Sequence, residues 1–277
     1  MRPLATIIAA VAGLALSTTL LASDPHPRQR LHQIQPVAEA EANERAEIRV
    51  GREVAARILA RHALHPDDEL QRYVNRVGVA LALHGTRPDL DFHFGVIESG
   101  QVNAYAAPGG YIFITSEALA LMEDEAELAA VLAHEIAHVD RRHIVEALGI
   151  RAPESSPMAG LTRFFGGATE VAQVFFSQAV DQVLSVLFEE GLRHEDEFEA
   201  DRDGVLLAAR AGYDPGGLGR FLQRLSESAD RRAVDEVADT HPATSERLKR
   251  LTALQDEENL SAIEGYRRQA RFQRHVP

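Results

Sequence analysis

Apolar and polar positions recur along this chain with two periods, and the changes between them mark out the elements. From Asp67 to Leu83 the apolar residues Leu70, Tyr73, Val74, Val77 and Leu81 fall three and four apart, as on one face of an α-helix. Val37–His65 has sparser marks (Ile48, Val54, Ile58, Leu59) in an Ala/Glu/Arg-rich background and closes at Pro66, which predicts a long, partly exposed helix. The period then drops to two. Phe92, Phe94 and Val96 alternate with His93, Gly95 and Ile97 over Asp91–Ile97, a strand signal. Val102–Tyr105 is a short second strand, Pro108-Gly109-Gly110 a turn, and Tyr111-Ile112-Phe113-Ile114-Thr115 a β-rich run. Together they predict a small antiparallel sheet in a mainly α-helical (α+β) chain. An edge strand of that sheet could pair with an extended peptide, and Tyr111, Ile112, Phe113, Ile114 and Thr115 are the strand expected to do so.

Helical spacing returns at Leu128–His143. Leu128, Leu132, Ile136 and Val139 form one apolar stripe, and Asp124-Glu125-Ala126-Glu127 reads as a capping box that starts the helix. Gly149–Gly167 is a Pro/Ser/Gly-rich break, long enough for a mobile cover over a cleft. Thr169–Phe188 is a strongly apolar helix, read as core, with a lid or membrane-facing element as the alternative. In Gly191–Gly212, Ala200, Gly204, Leu207, Ala208 and Ala211 mark a small-residue helix face suited to close packing. Gly212–Gly219 is a turn, and Leu218–Leu225 starts another helix. Arg231–Asp239 reads as exposed, and Thr240-His241-Pro242 opens the last helix, with Pro242 suited to its first turn. The basic tail Tyr266–His275 reads as a solvated end.

Composition narrows the function classes. The chain has 277 residues, 45% of them hydrophobic, enough for a core. A net charge of −13 argues against nucleic acid and anionic membrane surfaces as partners. Without cysteine there is no thiol catalysis, disulfide or thiolate zinc site, so metal chemistry rests on the 12 histidines and the carboxylates. Met1–Ser23, with Arg2, an apolar run from Leu4 to Leu16 and small residues near Ala22, predicts a signal peptide; an uncleaved anchor is the alternative. Asp24–Pro36 reads as a linker, 37–254 as the main folded domain and 255–277 as a tail. No later segment has the length of a transmembrane helix, so no integral membrane domain is expected in the mature chain.

The candidate chemistry lies in His134-Glu135-Ile136-Ala137-His138, an HExxH pattern. Histidines four apart on a helix point within roughly 40° of one another and can grip one Zn²⁺. Glu135 sits beside them, placed to take a proton from a water at the metal. A hydrolytic zinc site commonly adds one carboxylate. Glu195, Asp196, Glu197, Glu199, Asp201 and Asp203 compete for that place. Glu197 falls near the centre of the small-residue face, with Asp201 one turn later; Glu195 and Glu199 point away and read as solvated, while Asp196 is not excluded. Glu197 is the chosen ligand. Arg247 and His241 are candidates for a further donor to the oxyanion.

Four runs then carry a resemblance: VNAYAAPGGYIFIT at Val102–Thr115, ELAAVLAHEIAHVDRRH, EFEAD at Glu197–Asp201, and THPATSERL at Thr240–Leu248. In order and spacing they resemble the zinc metallopeptidase family 48 of CAAX prenyl endopeptidases, HtpX, mitochondrial Oma-type proteases and periplasmic β-barrel-assembly-enhancing proteases. The resemblance implies a zincin-like fold, one zinc held by His134, His138 and Glu197, Glu135 as general base, and Asp201 supporting a zinc histidine. It is nearest the soluble periplasmic members, although the repeat domain of the assembly-enhancing protease is not found here. It implies a periplasmic zinc endopeptidase acting on unfolded or extended envelope proteins in quality control, with the outer-membrane assembly machinery as partner. The alternative is a holdase or assembly factor whose protease site is normally blocked. His241 has a sharper reading, as a fourth ligand that closes the zinc's open position in a resting state.

Overall fold

The computed structural model describes residues 27–88, 90–150, 170–228, 240–260 and 268–276. The signal segment, most of the cover expected over 149–167 and the run 231–239 lie outside them. From Glu39 onward the described residues form one compact unit. Helix α1 (Pro27–Arg61) begins inside the stretch read as a linker.

In this unit, α2 (Asp68–Ala82) starts where Asp67 accepts hydrogen bonds from the N–H groups of Glu69 and Leu70, at 2.7 and 3.1 Å. Its predicted face, Leu70, Tyr73, Val74, Val77 and Leu81, is buried. Strands β1 (His93–Ile97), β2 (Ala104–Ala107) and β3 (Tyr111–Thr115) form one sheet in the order β1-β3-β2. The turn before β3 is a short 3₁₀ segment. A side chain at Gly109 there (φ 74°) would lie 2.7 Å from the Ile48 backbone, so α1 can approach only a glycine.

This sheet corrects two expectations. It is mixed, because β1 runs parallel to β3 while β2 runs antiparallel to it. And Tyr111–Thr115 is the central strand, not an edge. Ile112, Phe113 and Ile114 are buried, with alternate residues on opposite faces: Ile112 and Ile114 join a core with α2 and the HExxH helix, Phe113 a second core with α1. An apolar run buried on both faces belongs in the middle of a sheet. The outer edge of β1 is covered, since the His65 N–H donates to the Val96 carbonyl at 2.9 Å and the Glu98 N–H to that of Ala63 at 2.9 Å. The remaining edge is β2.

After α3 (Ser116–Ala120), α4 (Glu125–Asp140) carries the HExxH pattern. Asp124 accepts from the Glu127 N–H at 3.0 Å, and Glu127 accepts from the Glu123 N–H at 2.9 Å, one residue earlier than the expected box. Residues Glu125 to Val139 are all buried, so α4 is the central rod of the unit rather than a helix with one wet face. Helices α5 (His143–Leu148) and α6 (Glu170–Ser185) follow. In α6 Val180, Val183 and Leu184 are buried, but Val174 and Phe175 are exposed, so only its second half is core. Then come α7 (His194–Arg210), α8 (Gly217–Glu227), α9 (Thr244–Glu257) and α10 (Gln269–Phe272). Pro242 precedes α9 rather than starting it.

The tail is not a solvated end. Arg271 pairs with buried Glu125, which also accepts from Tyr73 Oη and Tyr213 Oη, each at 2.9 Å, and Phe272 lies in the core.

Candidate metal centre

Helix α7 lies directly on α4, and the small-residue face explains how. A side chain at Gly204 would sit 2.8 Å from the His134 backbone nitrogen, so only glycine permits this approach. The packing brings Glu197 over the HExxH histidines. His134 Nε2 and His138 Nε2 are 3.1 Å apart; Glu197 Oε2 is 3.5 Å from the first, and Glu197 Oε1 is 3.5 Å from the second. Tetrahedral ligands about 2.1 Å from zinc stand roughly 3.4 Å from one another, so the three donors fit that ion. All three residues are buried, and Glu197 Oε2 has no hydrogen-bond partner. A buried carboxylate with one oxygen facing each imidazole, and no hydrogen bond to Oε2, is what a cation would satisfy.

Electrostatics separates the donors. Burial opposes charge on His134, but the Asp201 and Glu197 carboxylates outweigh it and raise its pKa to about 10. Burial holds His138 well below the usual histidine range. Glu197 stays ionised, because His241, His138 and His134 together overcome the effect of burial. Glu135, also buried, is pushed up to about 7, with the His134 charge acting against the rise.

The other predicted residues surround these three. Asp201 Oδ1 lies 3.0 Å from His134 Nδ1. Arg247 is buried and donates to Asp201 twice, Nε to Oδ2 at 2.9 Å and Nη2 to Oδ1 at 2.6 Å. Two of its nitrogens are thus engaged behind His134, and Arg247 also lines a hollow together with Glu135 and His241. Asp196 pairs with Arg193 at 2.6 Å and lies outside the donor group. His241 Nδ1 lies 2.9 Å from Thr240 Oγ1, and its Nε2 faces Glu197 Oε2 at 3.5 Å. Two adjoining hollows share Glu135, His241, Asn103 and Ala104, and Tyr105 and Ala106 line one of them. β2 borders these hollows, and Tyr111–Thr115, the strand expected there, does not.

One arrangement escaped the sequence reading. His143 Nδ1 lies 2.9 Å from His138 Nδ1, and His143 Nε2 lies 3.2 Å from Glu199 Oε2. Glu199, expected to be solvated, also pairs with Arg141 Nη1 at 3.1 Å. The signal was the histidine ending the run HEIAHVDRRH, but it is five residues from His138, off the helical repeat.

Residues 65–255 match the profile of Peptidase family M48. A beta-barrel assembly-enhancing protease of Escherichia coli (strain K12) is 29% identical over an alignment of 201 residues that covers 66% of this chain and 38% of that protein. One of Yersinia pestis is 31% identical over 201 residues, with the same shares. The mitochondrial metalloendopeptidase OMA1 of Schizosaccharomyces pombe is 28% identical over 188 residues, 65% of this chain and 51% of that protein. The match therefore spans 38% of the length of these assembly-enhancing proteases.

Proposed function

The chain belongs to Peptidase family M48, and from that premise we propose that it is a zinc endopeptidase of the cell envelope, cleaving exported proteins that are unfolded or unassembled. The observation that carries the reading is the triangle of His134 Nε2, His138 Nε2 and Glu197, closed at 3.1, 3.5 and 3.5 Å with Glu135 next to it in the chain. These three residues would hold the metal. Zinc bound there would supply Lewis-acid polarisation of the scissile carbonyl and acidify the attacking water. Glu135 accepts a proton from that water as its oxygen bonds to the carbonyl carbon, then delivers it to the amide nitrogen as the C–N bond breaks. Asp201, held by Arg247, orients His134. β2 aligns the substrate as an added strand.

An envelope location is supported by the apolar amino-terminal run and by the two relatives named as beta-barrel assembly-enhancing proteases, which also suggest β-barrel assembly intermediates as substrates. Among the described residues no helix is long and apolar enough to cross a membrane. The test is to purify the protein, measure its zinc, and follow cleavage of an unfolded outer-membrane protein. About one zinc per chain and cleavage abolished by Glu135→Gln are expected; cleavage that survives Glu135→Gln overturns the reading.

A further inference from the structure

We propose that His143 is a positioning residue for the metal. It would fix the ring of His138 through a hydrogen-bonded relay, His138–His143–Glu199, whose outer end is held by Arg141. This rests on the zinc reading above. The geometry gives the relay one direction. If His138 Nε2 faces the ion with its lone pair, its Nδ1 carries the hydrogen. The ring nitrogen of His143 that faces it is Nδ1, at 2.9 Å, which must then accept. His143 Nε2 is left with the hydrogen and donates to Glu199 Oε2 at 3.2 Å. Each imidazole is thereby set in one tautomer, and the carboxylate that terminates the relay pairs with Arg141 Nη1 at 3.1 Å.

The backbone is built to place this ring. Between α4 and α5 the chain reverses at Arg142, a non-glycine residue in the left-handed region (φ 59°). Such a conformation persists only when its surroundings hold it, and Arg142 Nη2 pairs at 2.8 Å with the buried Glu47 carboxylate of α1. The turn makes His143 the first residue of α5 and buries it against His138. The two metal histidines thus differ in support. His134 has a carboxylate directly behind it, whereas His138 has an imidazole interposed. Both supports end on α7, at Asp201 and Glu199.

The experiment compares zinc retention against a chelator in wild type, His143→Phe, His143→Gln, Glu199→Ala and the double variant His143→Phe/Glu199→Ala. Glutamine can accept from His138 and donate to Glu199, so it preserves the relay that phenylalanine breaks. His143→Phe should weaken zinc binding by about 10–100-fold, the usual cost of losing such a partner. His143→Gln should stay close to wild type. Glu199→Ala should weaken binding alone but add little in the His143→Phe background. Wild-type zinc affinity in His143→Phe, or equal and additive effects of the two sites, overturns the relay while leaving the zinc reading intact. A wild-type protein that binds no zinc overturns both. If His143→Phe does not fold, Glu199→Ala decides, because it alters a half-exposed side chain; unchanged zinc retention there also overturns the relay.

Discussion

Arg247 and Asp201 are joined by two hydrogen bonds, at 2.9 and 2.6 Å, and the pair is buried directly behind His134. The neighbouring charge of Asp201 raises the Arg247 pKa despite burial, so the guanidinium stays charged. Removing one member of such a pair strands the other. Arg247→Met should therefore destabilise the fold by about 3–5 kcal/mol in urea unfolding and weaken zinc binding about tenfold or more. The double variant Asp201→Leu/Arg247→Met should recover stability but not zinc affinity. If Arg247 serves the oxyanion instead, kcat will fall in Arg247→Met with stability and zinc unchanged.

The same carboxylates govern the response to pH. Stripped of metal, His134 keeps a second proton up to about 10, and zinc must displace it. The sign follows: apparent zinc affinity falls as pH falls, by up to about tenfold per unit from this proton below the His134 pKa. Glu135 must be ionised to accept a proton, and its metal-free value of about 7 is lowered by a bound dication. The acid limb of kcat/KM should therefore lie below about 7 and vanish with activity in Glu135→Gln. Zinc titrations between pH 6 and 9 that give a constant affinity would contradict this account.

How much of this was legible in the sequence depends on the range of the interaction concerned. The HExxH spacing places two nitrogens together within one helix, and the sequence carries that directly. Glu197 was legible because Ala200, Gly204 and Ala208 leave room for a second helix, and a metal site needs such an approach. Strand order was not legible. It depends on β1 running parallel to β3 across the intervening β2, and Tyr111–Thr115, expected as the peptide-pairing edge, is an apolar run buried on both faces at the centre. His143 was missed because a left-handed Arg142, pinned from α1, brings its ring to His138, and no periodicity encodes that turn. The tail was misread for a related reason. Its arginines looked like solvated charge until buried Glu125, from the start of α4, supplied a partner for Arg271.

His241 lines both hollows and faces Glu197 with Nε2 at 3.5 Å. Burial lowers its pKa, so the ring is neutral and able to bind a metal. If it can swing to the open position of the zinc, His241→Ala should raise basal proteolysis and self-cleavage while zinc content stays near one per chain. Loss of activity with zinc retained would place His241 in transition-state stabilisation and end the switch reading.

The β2 edge also fixes how a paired substrate would lie across the two hollows. In an antiparallel pair, residues that exchange hydrogen bonds with the neighbouring strand alternate with residues whose amides point away. The Asn103 carbonyl accepts from the Thr115 N–H at 3.0 Å, which puts Asn103, Tyr105 and Ala107 in the set bonded to β3. Ala104 and Ala106 then turn their backbone groups outward. The Ala104 N–H is met by Asn103 Oδ1 at 2.8 Å, and Ala106 lines the hollow beside Glu135. A substrate added to this edge must itself bond at every second residue. Peptides N-methylated at one backbone position at a time should therefore lose kcat/KM alternately. A methyl on an amide facing β2 should cost about tenfold, near the worth of one hydrogen bond, while its immediate neighbours should be tolerated. Side-chain changes at the same positions should matter less, because main-chain pairing carries little sequence information. Equal losses at adjacent positions, or none at all, would show that the substrate does not pair with β2.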